Sequence, residues 1–88
     1  MRKIDINRRY RNMAIYCATW GRKNEGKALI TWNQLRSHFG ESWETYVHEL
    51  NVKGMLHYGS GYVYLTPAWA AMTAVEQMKA IQEMYPRI

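Results

Sequence analysis

Three histidines and one cysteine are the residues of this 88-residue chain best suited to metal or nucleophilic chemistry. Their spacing argues against both. His38, His48 and His57 have no second cysteine to pair with, and no HxxxH or CxxC spacing occurs, so no metal site is expected. Cys17 falls on the apolar stripe of a helical segment, where a thiol is expected to be an inert core residue rather than a nucleophile. The GxxxxGKS phosphate loop is absent. The chain therefore reads as a non-enzymatic domain with no cofactor.

What remains is charge. The net charge is +5, and it is unevenly distributed. Residues 1–27 carry eight cations (Arg2, Lys3, Arg8, Arg9, Arg11, Arg22, Lys23, Lys27) against Asp5 and Glu25, a net +6. Residues 28–88 carry Arg36, Lys53, Lys79 and Arg87 against five glutamates, a net −1. A field concentrated in this way attracts polyanions. The competing interpretation is a solvated helix face kept soluble by arginine.

Composition sets the frame that must position these cations. The length fits one domain over residues 1–88, and 48% apolar residues suffice for one packed core. A lone cysteine forms no internal disulfide. The N-terminal MRKIDINRRYR does not resemble a secretory leader, and no stretch approaches the ~20 apolar residues that span a bilayer. A cytoplasmic protein without membrane contact is expected.

After a basic arm at 1–4, Ile6, Tyr10, Met13, Cys17 and Trp20 recur at helical spacing. They predict a helix over 5–20, with Asp5 as cap and Gly21 as terminator. GRKNEGK at 21–27 reads as a basic loop, and Ala28-Leu29-Ile30 as a short strand. Thr31-Trp32-Asn33-Gln34 has the capping-box form, with Ile30 and Leu35 placed as a hydrophobic staple. It predicts a helix from Trp32 to Phe39 that ends at Gly40. Ser42 can cap the next helix, with Trp43, Val47 and Leu50 buried and Gly54 closing it. Residues 55–65 alternate around Gly59-Ser60-Gly61 as a β-hairpin. Thr66-Pro67 restarts a helix expected to run over 67–85.

Helix, strand, helix, turn, helix, hairpin, helix is the order of a winged helix-turn-helix. Leu50-Asn51-Val52-Lys53-Gly54-Met55-Leu56 resembles the end of a recognition helix in that superfamily, and Tyr64-Leu65-Thr66-Pro67 resembles the wing's exit in MarR- or PadR-like regulators. The resemblance implies an α+β, mostly α domain: helix-turn-helix over 31–53, wing over 55–65, a short three-stranded sheet and a long C-terminal helix. Winged helices bind DNA, bind RNA or dock proteins. The leading expectation is a small dimeric DNA-binding regulator of transcription or replication, with a protein-binding adaptor or inhibitor as the alternative. Fold alone does not fix function, so the site is argued from residues.

The outward face of 42–53 would carry Thr45, His48, Glu49 and Val52, with Glu44 at its flank and no arginine. The bidentate Arg or Lys contact to guanine is thus missing. The cations expected at phosphates are Arg2, Lys3, Arg8, Arg11, Arg22, Lys23, Lys27 and Arg36, with Thr45 and His48 nearest the bases. The alternative is a protein-docking face formed by Glu44, His48, Glu49, Tyr58, Tyr62 and Tyr64, because tyrosine is enriched at interfaces. Trp20, Trp32, Phe39 and Trp43 are expected in the core. Trp69, Met72, Val75, Met78, Ile81 and Met84 recur every three residues and drift around a helix. They predict a dimerisation helix joining two copies of the chain.

Overall fold

A computed structural model describes residues 3–23 and 29–87. The order is α1 (Lys3–Lys23), β1 (Leu29–Thr31), α2 (Trp32–Phe39), α3 (Trp43–Val52), β2 (Leu56–Tyr58), β3 (Tyr62–Leu65), α4 (Pro67–Ala70) and α5 (Ala74–Met84). The result is an α+β domain in which helices pack on a small antiparallel sheet of strand order β1-β3-β2. Among the described residues, no helix is long and apolar enough to cross a membrane.

α1 differs from expectation at both ends. It begins at Lys3, so Asp5 lies inside the first turn, where its charge favours the helix N-terminus, rather than at the cap. It also continues through Gly21 to Lys23, so residues 21–23 are helical and not loop. Residues 1–2 and 24–28, which hold most of the expected arm and loop and Ala28 of the expected strand, lie outside the described residues. The buried stripe is Met13, Ala14, Cys17 and Ala18, with Ile6 and Tyr10 packed against it. Trp20 is exposed rather than core.

α2 forms as its sequence dictates. Thr31 Oγ1 accepts from the Gln34 amide at 3.1 Å, and Gln34 Oε1 accepts from the Thr31 amide at 3.3 Å. The two staple residues, Ile30 and Leu35, are fully buried. The amide of Trp32 donates to the Gly61 carbonyl at 3.1 Å, tying the helix start to the hairpin tip. Ser42 stands at the N-cap of α3, but its side chain makes no capping bond. Trp43, Tyr46, Val47 and Leu50 form the buried seam of α3.

The end of α3 is a Schellman turn. Gly54 takes φ +81, its amide donates to Asn51, and the Met55 amide donates to Leu50 at 3.0 Å. Leu50 and Met55 are both fully buried, the apolar contact that accompanies this motif. Asn51 Nδ2 donates to the Leu56 carbonyl at 2.9 Å and pins β2 to the helix. Ile30 pairs with Val63 and Leu56 with Leu65, and all four side chains face the core. Tyr62 and Tyr64 alternate to the other face, half-buried. At the hairpin tip a Cβ on Gly59 would run into the Tyr62 ring, so a side chain there would have to displace that ring.

The expected single helix over 67–85 is two helices. α4 ends at Ala70, and Thr73 opens α5 with a second capping box. Thr73 Oγ1 accepts from the Glu76 amide at 3.2 Å, and Glu76 Oε1 accepts from the Thr73 amide at 2.9 Å. Thr66 makes no side-chain cap for α4; its hydroxyl donates to the Gly54 carbonyl at 2.8 Å. The three-residue recurrence, expected as a drifting stripe on one helix, is divided between two separate helices. Thr73→Ala should weaken α5 by about 1 kcal/mol, the usual cost of a lost cap. Urea unfolding would register this as a lower midpoint at unchanged slope. No change in the midpoint would mean that packing on α1 alone sets the helix start.

Candidate binding surfaces

Three surfaces stand out, and two of them gather residues that the sequence points to. The first is the outer side of α3. Glu44, Thr45, His48 and Val52 are exposed there, together with Glu41 just before the helix, and Lys53 stands only at its end. β2 packs beside α3 and brings Tyr58, 46% exposed, to the same side. The Tyr58 hydroxyl titrates above its ordinary range, chiefly through burial and further through the charge of Glu44. Tyr62 and Tyr64, with rings 6.1 Å apart, and His57, 5.5 Å from Tyr64, lie on the opposite face of the sheet from Tyr58, so the expected docking face does not include them.

Glu49 does not belong to this face. It is half-buried on the other flank of α3 and accepts the Tyr85 hydroxyl at 2.5 Å. Burial, the bond to Glu49 and the nearby charge all hold the Tyr85 hydroxyl far above its usual range. Tyr10 sits between Tyr46 and Tyr85 at 5.9 and 5.5 Å, and its hydroxyl is also raised, by burial first and then by Glu49 and Tyr46. Arg9 completes the cluster by donating to the Tyr46 hydroxyl at 2.9 Å. The cluster joins α1, α3 and the end of α5.

The second surface is cationic, and it is smaller than expected. Arg8 is exposed on α1. Arg11, expected at phosphates, is only 9% exposed and donates to the Tyr85 carbonyl at 3.1 Å. It is a structural clasp, because removing that donor would strand a buried carbonyl. Arg36 is exposed and bonded to Asn33 Oδ1 at 2.8 Å. Lys3, Arg22 and Lys23 belong to α1 by their backbone, whereas Arg2 and Lys27 lie outside the described residues.

No family model, no curated protein and no solved structure matches this chain. Its surfaces therefore carry the argument alone.

The third surface escaped the sequence. Between α1 and α2 an open groove of about 510 Å³ is lined by Asn12, Ile15, Tyr16, Thr19, His38 and Phe39, among others. Tyr16 stacks on His38 at 4.6 Å, meets Phe39 edge-on at 5.4 Å, and accepts from Gln34 Nε2 at 3.1 Å. These partners are far apart in sequence, so no local spacing could have flagged them. The stacked rings contact one another, which makes the cluster a packing device between the helices.

The stripe expected to join two copies is divided in use. Trp69 and Ile81 are buried in the chain's own core, and Met72, Met78 and Met84 are half-buried against it. Val75 is 77% exposed. Cys17 is fully buried, and burial pushes its thiol up to about 12, far from the thiolate a nucleophile needs. Among the described residues, no three His, Cys, Asp or Glu side chains stand together as a metal site would need.

Proposed function

We propose that the chain is a winged-helix module that binds DNA mainly through phosphate contacts from its α1 side, as a small regulator of transcription or replication. The element order and the strand order β1-β3-β2 support the fold reading. The observation that carries the functional reading is the segregation of charge over that frame. Eight of the twelve Lys and Arg residues fall in 1–27, and Arg8 stands exposed there, while the outer side of α3 offers Glu44, with Glu41 just before the helix, and no Lys or Arg along its length. Phosphate contacts of this kind give affinity and position without reading sequence.

In this reading α3 stays out of the major groove. A recognition helix reads with its N-terminal residues, and here that end carries Glu41 and Glu44. Selectivity then comes from a partner or a second copy. A homodimer through the C-terminal segment would use Val75, Met72, Met78 and Met84, since Trp69 and Ile81 are already engaged. The module works on DNA in the cytoplasm and performs no catalytic step.

Gel retardation of a mixed-sequence duplex across a salt series tests the proposal. Arg8→Ala combined with Arg22→Ala should weaken binding alike for all sequences. The slope of log affinity against log salt should fall by about one for each lost contact. An unchanged slope and affinity in the double variant would take α1 out of the interface.

A further inference from the structure

We propose that the face formed by α3 and β2, which leaves Val52 and Tyr58 exposed and carries Glu44, with Glu41 just before the helix, docks a protein segment that presents arginine or lysine beside an apolar side chain. Val52 is 67% exposed and Tyr58 46%, two of the few large apolar side chains left open to solvent among the described residues. One exposed valine is ordinary. Here the two stand on adjacent, packed elements, with exposed Thr45 and His48 alongside. The face mixes exposed apolar side chains with polar and charged ones, as protein interfaces do.

The backbone beneath the face is already fixed. The Schellman turn at Gly54, the bond from Asn51 to Leu56 and the bond from Thr66 to Gly54 lock α3 to β2 before any partner arrives. A preformed surface loses less ordering entropy on association. The same Asn51 bond occupies the Leu56 carbonyl, so a partner would engage side chains rather than extend the sheet through that group.

Charge selects the occupant. Glu41 and Glu44 repel phosphate, and Lys53 at the helix end is the sole cation that α3 contributes. The complement is a basic segment, which rim carboxylates would steer and orient. The inference does not rest on the DNA reading, which concerns the α1 side.

A random library of twelve-residue peptides displayed on phage, selected against the whole folded chain, tests it. Selected peptides should be rich in Arg or Lys next to Leu, Phe or Trp. Their affinity should fall about three- to tenfold in Glu44→Gln and again in Val52→Ser, and it should weaken with salt. Arg8→Ala should leave peptide capture intact while weakening DNA binding, so each proposal can fail alone. Both α3 variants alter exposed side chains, and a thermal melt matching the parent confirms that the fold is kept. Three results would overturn the proposal: peptides that bind both α3 variants as well as the parent; a Glu44-dependent dimer in sedimentation, which would give the face to a second copy; or tighter DNA binding by Glu44→Gln, which would put α3 in the groove.

Discussion

Trp43→Ala is expected to destabilise the domain by about 3–5 kcal/mol, the cost of deleting a buried large aromatic with incomplete collapse around the cavity. Trp43 opens α3, is nearly inaccessible, and lies 5.9 Å from the ring of Trp32 at the start of α2. Trp32 is bonded through its amide to Gly61 at the hairpin tip. One indole therefore supports the junction of two helices, and through Trp32 the tip of the sheet. For a domain of this size, 1 kcal/mol shifts Tm by roughly 4–8 °C, so the melt should move down by tens of degrees. Trp43→Phe, which keeps most of the apolar volume, should lose much less. A Trp43→Ala protein that melts with the parent would show that α3 buries a different face.

Ile81→Ala should cost about 2–5 kcal/mol, whereas Val75→Ala should stay within about 0.5 kcal/mol of the parent. The sequence offers both residues in one recurring stripe. In the fold Ile81 is fully buried where α5 packs on α1, and Val75 projects into solvent. Melting each variant at two protein concentrations about tenfold apart gives the decisive readout. If Ile81 fills the core of its own chain, its loss is the same at both. A parent Tm that climbs with concentration, and an Ile81→Ala variant in which that climb disappears, would place Ile81 between chains instead.

Local chemistry was legible where a few neighbouring residues decide the backbone. Thr31 and Gln34 specify the start of α2, Gly54 the end of α3, and the glycines at 59 and 61 the hairpin, because each acts within four or five positions. The same rule applied to Thr73-Ala74-Val75-Glu76 marks the start of α5, but the apolar recurrence on both sides of it reads as one continuous helix. Gly21 failed as a terminator because an isolated glycine costs a helix only about 1 kcal/mol. Helical spacing puts Arg11 on the polar face of α1, yet it is buried because a carbonyl 74 residues away accepts its hydrogen bond. The groove at Tyr16 and His38 and the tyrosine cluster around Glu49 are likewise products of distant segments meeting. Of the expected site, the outer residues of α3 and Arg8 were legible from periodicity, whereas the roles of Arg11 and Glu49 depended on neighbours that periodicity does not reveal.

The bond from Arg11 to Tyr85 also bears on how the domain comes into being. Synthesis makes α1 before α5 and Tyr85, which complete its core face. Closing a loop of 74 residues is entropically costly until the contacts at its two ends reward it. A nascent chain therefore holds α1 with part of its apolar stripe uncovered until translation has passed Tyr85. Folding is thereby tied to completion of the segment, and a ribosome stalled within α5 would present an unfinished domain to chaperones and proteases.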